Sequence, residues 1–141
     1  MKYMLDTNIC IYIIKRKPKP VITKFREFGV GNLCISSVTL AELQYGVEKS
    51  EQQERNRIAL AGFLSPFDIL PFAGEVVEEF GKVRATLERR GNVIDAYDMM
   101  IGAHALSEHL TLVTNNLREF QRIFGLSAEN WVGPSRQYHE H

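Results

Sequence analysis

Three carboxylates and an amide in this chain stand where apolar runs end, and their chemistry suits a divalent cation. Asp6 closes the run Tyr3-Met4-Leu5 and is followed by a second run, Ile9-Cys10-Ile11-Tyr12-Ile13-Ile14. Glu42 lies shortly after Leu33-Cys34-Ile35, and Asp98 is surrounded by Ala96, Tyr97, Met99, Met100 and Ile101. Asn116 follows Thr111-Leu112-Val113-Thr114. Taken singly, each reads as well as a helix cap or a surface residue; Asp6 with Thr7 and Asn8 makes a good cap and turn. Taken together they pose a problem, because carboxylates gathered in an apolar crevice repel one another and lose solvation. No lysine or arginine is attached to these segments at a matching position. A hard cation bound through oxygen meets the need, and Mg²⁺ does so with few carboxylates and several waters. Mg²⁺ or Mn²⁺ held there would activate a water and neutralise a phosphodiester undergoing in-line displacement.

For those groups to meet, the elements between them must alternate. Tyr3-Met4-Leu5, Leu33-Cys34-Ile35 and Thr111-Leu112-Val113-Thr114 read as short buried strands, and Asp68-Ile69-Leu70-Pro71-Phe72 as another. Helices are expected over residues 9–16, 21–28, 38–47, 74–90, 95–106 and 117–123. Lys17-Pro18-Lys19-Pro20 breaks the first, Ser36-Ser37 caps the third, and Gly91 closes the fourth. Residues 48–57 are charged throughout and suit the exposed face of a helix that runs on to Leu64. Trp131-Val132 reads as an edge strand, and residues 133–141 as a frayed tail. Strands alternating with helices predict an α/β fold: a mostly parallel central sheet of four to five strands flanked by helices, one domain over residues 1–132. In such a sheet Asp6, Glu42, Asp98 and Asn116 share the carboxyl edge, where ligands bind.

Composition narrows the classes. The 141 residues are 45% hydrophobic and 24% charged with zero net charge, ordinary for a globular domain and unlike a protein that coats nucleic acid. Residues 15–26 nevertheless hold Lys15, Arg16, Lys17, Lys19, Lys24 and Arg26 and no acid, a patch able to hold phosphates or a solvated, proline-broken loop. Cys10 and Cys34 lie in apolar runs without a Cys-x-x-Cys spacing, which suits buried thiols in a reducing compartment. There is no apolar stretch of membrane-spanning length, so a cytoplasmic location is expected. Phosphate loops of the Gly-x-x-x-x-Gly-Lys type and Gly-x-Gly-x-x-Gly are absent. A haloacid-dehalogenase-type phosphatase would need a second acid two residues after Asp6, where Asn8 stands. His104, six residues beyond Asp98, points away from it as a core or interface histidine, and His139 and His141 fall in the tail.

Four stretches carry a resemblance: Met4-Leu5-Asp6-Thr7-Asn8; Ser36-Ser37-Val38-Thr39-Leu40-Ala41-Glu42-Leu43; Ile94-Asp95-Ala96-Tyr97-Asp98-Met99-Met100-Ile101-Gly102-Ala103-His104-Ala105; and Leu112-Val113-Thr114-Asn115-Asn116-Leu117-Arg118-Glu119-Phe120. In this order and over residues 2–131 they resemble PIN-domain ribonucleases, and among these the VapC toxins of bacterial toxin–antitoxin pairs. The resemblance implies a PIN-domain fold and makes Asp6, Glu42 and Asp98 the metal-binding acids. Asn116 falls where many relatives carry a fourth acid and adds no charge, which leaves one or two ions open; Asp95, one turn from Asp98, would partly replace that charge. Thr7, Asn8 and Thr114 would hydrogen-bond around the acids, and Lys15, Arg16, Lys17 and Lys19 would overhang the site and hold RNA. Gly91-Asn92-Val93-Ile94-Asp95 departs from the Gly-x-Pro-Ile-Gly of many close relatives and alters the rim of the site. The implied activity is Mg²⁺- or Mn²⁺-dependent hydrolysis of a structured translation RNA, best matched by transfer RNA in its anticodon region. The implied partners are a second copy of the chain and a VapB-type antitoxin, with higher hetero-oligomers and contact with DNA only through the antitoxin. A reading from another class is a catalytically weak PIN scaffold that supports its antitoxin on DNA; the intact set Asp6, Glu42 and Asp98 argues against it.

Overall fold

The computed structural model describes residues 2–132, so the expected tail lies outside the described residues. Five short strands form one all-parallel sheet: β1 (Tyr3–Leu5), β2 (Leu33–Ser36), β3 (Asp68–Leu70), β4 (Thr111–Val113) and β5 (Ala128–Glu129). Their spatial order is β3-β2-β1-β4-β5. The chain moves outward from β1 in one direction, then returns to place β4 on the other side of β1. That reversal opens a crevice at the carboxyl ends of β1 and β4, where ligands of such sheets bind.

Connecting helices are α1 (Thr7–Lys15), α2 (Lys19–Phe28), α3 (Ser37–Lys49), α4 (Gln53–Leu64), α5 (Glu75–Arg89), α6 (Ala96–Ser107) and α7 (Leu117–Phe120). Strand side chains alternate between two cores, as a period of two requires. Tyr3, Leu5, Leu33, Ile35 and Val113 join Ile9 and Ile13 of α1, Val21 of α2 and Leu43 of α3 on one face. Met4, Cys34 and Leu112 join Val83 and Leu87 of α5 and Met99 and Ile101 of α6 on the other. The α6 helix is apolar enough to bury His104 completely, with its Nδ1 2.8 Å from Ser36 Oγ. His104 is thus the core histidine that the spacing predicts.

Three expectations are corrected. Residues 48–57 are not one exposed helix: α3 ends at Lys49 and α4 begins at Gln53. Ser50 Oγ donates to the Val47 carbonyl at 2.7 Å, drawing a terminal acceptor away from the helix ladder. Helix α7 covers only Leu117–Phe120, because a turn replaces its expected second half. The last strand is Ala128–Glu129, paired with Leu112 and Val113, and not Trp131-Val132. Trp131 instead turns inward, fully buried, and stacks on Phe28 with ring centroids 5.4 Å apart. Burial of so large a ring outweighs its liking for a strand.

Candidate functional site

Asp6 is the first residue beyond β1, and its backbone N–H is held by the Val113 carbonyl of β4 at 3.0 Å. Its Oδ1 accepts the Ile9 N–H at 2.9 Å, so the cap reading of this residue is correct as far as it goes. It is also only 4% exposed, in a crevice that contains other acids. Burial pushes its carboxyl up to about 6 despite the neighbouring Thr114 hydroxyl and Ile9 N–H, and Glu42 and Glu119 add to the rise.

Glu42 reaches the same place from α3. Ser36 ends β2 and caps that helix by accepting the Val38 N–H at 3.0 Å, which fixes the direction in which α3 leaves the sheet. The Thr7 hydroxyl, one residue beyond Asp6, donates to Glu42 Oε1 and lies 3.4 Å from Thr39 Oγ1. Asp98 lies in the first turn of α6. Burial, then the adjacent Glu119, and then Asp95 and Asp6 raise its carboxyl to about 8. The four acids therefore repel one another, which is the condition under which a cation is favoured.

Glu119 was not among the residues singled out from the sequence. It sits on α7, and the structure brings it, rather than Asn116, against Asp98 and Asp6. Asn116 caps α7: its Oδ1 accepts the Glu119 N–H at 3.4 Å, and its Nδ2 donates to Glu119 Oε2 at 3.1 Å. Its amide is committed to the helix end and holds the acid in place. The signal was present as Asn116-Leu117-Arg118-Glu119, a polar cap followed three residues later by Glu. Asp95 caps α6, its Oδ2 accepting the N–H groups of Tyr97 at 3.1 Å and Asp98 at 3.3 Å, and its charge adds to the rise of Asp98. Thr7 and Thr114 lie beside the acids, whereas Asn8 is exposed and makes no hydrogen bond to them.

The basic segment follows α1. Helix α1 starts at Asp6 and carries the chain away from it for nine residues, about 13 Å at 1.5 Å per residue. Lys15 therefore ends α1, and Arg16, Lys17 and Lys19 follow it. Lys15 lines a groove that also contains Glu42, Ile11, Ile14, Val47 and Leu60. Arg16 and Arg26 border its continuation between α1, α2 and α4, among Ile22, Phe25, Ile58 and Phe63.

The donor set suits an oxygen-seeking cation. Asp98 feels Glu119, Asp95 and Asp6, Asp6 feels Glu42 and Glu119, and Glu119 Oε1 is buried without a hydrogen-bond partner. Among the described residues no three acids, histidines or cysteines are already drawn together as a finished cage. Mg²⁺ needs no such cage, since it binds through one or two carboxylates and keeps several waters.

Comparison with known proteins agrees with the fold. Residues 3–125 match the PIN domain. The chain is 49% identical over 132 residues to Ribonuclease VapC2 of Haemophilus influenzae, covering 94% of this chain and 99% of that one. It is 48% identical to the tRNA(fMet)-specific endonuclease VapC of Shigella flexneri, over 93% of this chain and 98% of the relative. Among solved structures, DNA-bound VapBC from Salmonella typhimurium has a TM-score of 0.88 at 46% identity, covering 93% of this chain and 98% of that one. VapBC2 from Rickettsia felis, bound to a DNA fragment from their promoter, has a TM-score of 0.86 at 44% identity, covering 93% and 99%. A five-stranded parallel sheet with acids at its carboxyl edge is thus the frame of a nuclease. The chain belongs to the PIN-domain family and, within it, to the VapC ribonucleases.

Proposed function

We propose that the protein is the ribonuclease toxin of a VapBC pair, cutting a transfer RNA in its anticodon region with the aid of Mg²⁺ or Mn²⁺. The observation that carries this reading is the meeting of Asp6, Glu42, Asp98 and Glu119 in one crevice, with Asp6 and Asp98 raised by burial and by their acidic neighbours. Asp6, Asp98 and Glu119 would hold a cation, with Glu42 beside them, and the bound ion would supply positive charge for hydrolysis of a phosphodiester. The chain's own work is positioning. Thr7 aligns Glu42, Thr114 and the Ile9 N–H steady Asp6, Asn116 fixes Glu119, and Asp95 sets the first turn from which Asp98 projects. Transfer RNA is supported by the names of relatives 48% and 46% identical, each a tRNA(fMet)-specific endonuclease. Specific RNA recognition favours splayed single-stranded loops, which suits a single cut in a folded molecule.

The same reading gives the protein a second copy of itself and a VapB-type antitoxin as partners, with DNA reached through the antitoxin. The groove between α1, α2 and α4 supports this: it is apolar, has basic residues at its border, leaves Ile58 65% exposed and runs toward Glu42. An amphipathic helix would fill it, and an arginine or lysine extending from that helix into the acids would take the place of metal charge. Buried, unpaired Cys10 and Cys34 suit the reducing cytoplasm in which such RNA is found. The deciding experiment is cleavage of an initiator tRNA transcript with Mg²⁺, with excess chelator, and with Asp6→Asn. Cleavage that needs the metal and is lost in the variant is expected; cleavage that survives chelator or the substitution would overturn the mechanism.

A further inference from the structure

The acids that would cut RNA also repel it, and the chain has no net charge to offset them. RNA must therefore be held by cations, and beyond Lys15 in the Glu42 groove the structure offers a second set of them. We propose that the pocket between α5 and the turn after α7, lined by Lys82, Arg90, Arg122 and Phe124, docks the RNA backbone and one unstacked base.

Three observations converge on it. First, Lys82, Arg90 and Arg122 line a single pocket, and none has an ion-pair partner among the described residues. Glu79 also lines that pocket without pairing with them. On the same helix Arg84 is paired with Glu88 at 3.2 Å, so α5 neutralises one cation and leaves these others free for phosphate. Second, Phe124 is 86% exposed at the border of these charges. An exposed ring costs solvation for no gain in packing, whereas a ring beside cations is the usual platform for an unpaired base. Third, the patch shares two connections with the acids. Arg122 follows Glu119 by three residues, and its Nη1 donates to the Val93 carbonyl at 3.3 Å. Val93 lies in the short link that leads from Arg90 to Asp95, the cap of the helix that carries Asp98. Backbone held at this pocket is thereby placed by the same segments that place Asp98 and Glu119.

This inference rests on the ribonuclease reading, and its test separates the two. Binding of an initiator tRNA transcript is measured by fluorescence anisotropy across salt concentrations, and cleavage is measured separately on that RNA and on a short oligonucleotide. The expected result for the Lys82→Gln/Arg90→Gln pair, which leaves the Arg122 contact with Val93 intact, is affinity about tenfold weaker and a salt dependence shallower by about 1.5 to 2 in log–log slope. Cleavage of the short oligonucleotide is expected to stay at the unsubstituted level. Phe124→Ser is expected to weaken binding without changing the slope, because a ring releases no counterions. Unchanged affinity and slope in the pair variant would overturn the docking surface. Equal loss on the short oligonucleotide, or altered oligomeric state with RNA affinity intact, would also overturn it, the latter marking a protein-binding face. A chain that binds RNA through this pocket yet never cuts it would retire the ribonuclease reading alone.

Discussion

Asp6 is asked to do two things that conflict. Burial raises its carboxyl from 3.8 to about 6, so folding the charged form is costly, on the order of 3 kcal/mol. Asn keeps the cap on α1 and removes the charge. Asp6→Asn is therefore expected to lose RNA cleavage by roughly a hundredfold or more while melting at a higher temperature than the unsubstituted chain. The sign follows from linkage: a carboxyl whose pKa is raised by folding favours the folded state below 3.8, and that benefit is lost as pH rises through about 6. Melts of metal-free protein should thus show a gap between the two chains that is small near pH 4, grows to pH 6 and is level above it. Equal melting temperatures at pH 7 would show that the charge is not strained. Glu119 and Asn116 give a second contrast. Glu119→Gln is expected to slow cleavage about tenfold or more, whereas Asn116→Ala costs about 1 kcal/mol of stability as a lost cap and removes no acid, although it frees Glu119 from the Nδ2 contact. Rate measurements in which Asn116→Ala proves the more damaging would return the fourth position to Asn116.

At the level of elements, Trp131 tests how the last segment is held. It is fully buried, stacked on Phe28 and edge-on to Tyr3 of β1 at 6.1 Å. Trp131→Ala is expected to cost about 3 to 5 kcal/mol, read as a lower denaturation midpoint with an unchanged slope. A cost under about 1 kcal/mol would mean that the ring is not part of the core. The same residue shows where a sequence stops being legible. Tyr3-Met4-Leu5, Leu33-Cys34-Ile35 and Thr111-Leu112-Val113 were readable as strands because buried parallel strands are short apolar runs. Ala128 and Glu129 have no such pattern; they are a strand only because β4 offers them an edge. Asp6, Glu42 and Asp98 could be found because apolar neighbours make an acid conspicuous. Glu119 stands between Arg118 and Phe120 in a short polar helix, and only the return of α7 to the crevice distinguishes it from a surface residue.

Over the whole molecule the two faces divide the work. The groove of α1, α2 and α4 is apolar and leads to Glu42, while the pocket of α5 and the turn after α7 is basic and is tied through Arg122 to Val93, in the link before Asp95. A change confined to the first should affect inhibition and not catalysis. Ile58→Asp, which places a charge on a side chain 65% exposed in that groove, is expected to weaken antitoxin binding at least about tenfold. It should leave cleavage of free RNA as it was. Retention of the antitoxin on co-purification, together with full inhibition, would remove the groove from the partner's path.

The pairing of β1 with β4 also has a meaning in time. Tyr3, made almost first, pairs with Thr111, made near the end, and the crevice closes only when the Asp6 N–H can donate to the Val113 carbonyl. Glu119 and the strand Ala128–Glu129 come later still. A nascent chain on the ribosome therefore has its acids unassembled until nearly the whole message has been read, and a stalled or truncated product lacks the strand that would assemble them. In a ribonuclease, this order of synthesis keeps the acids apart until the chain is nearly complete.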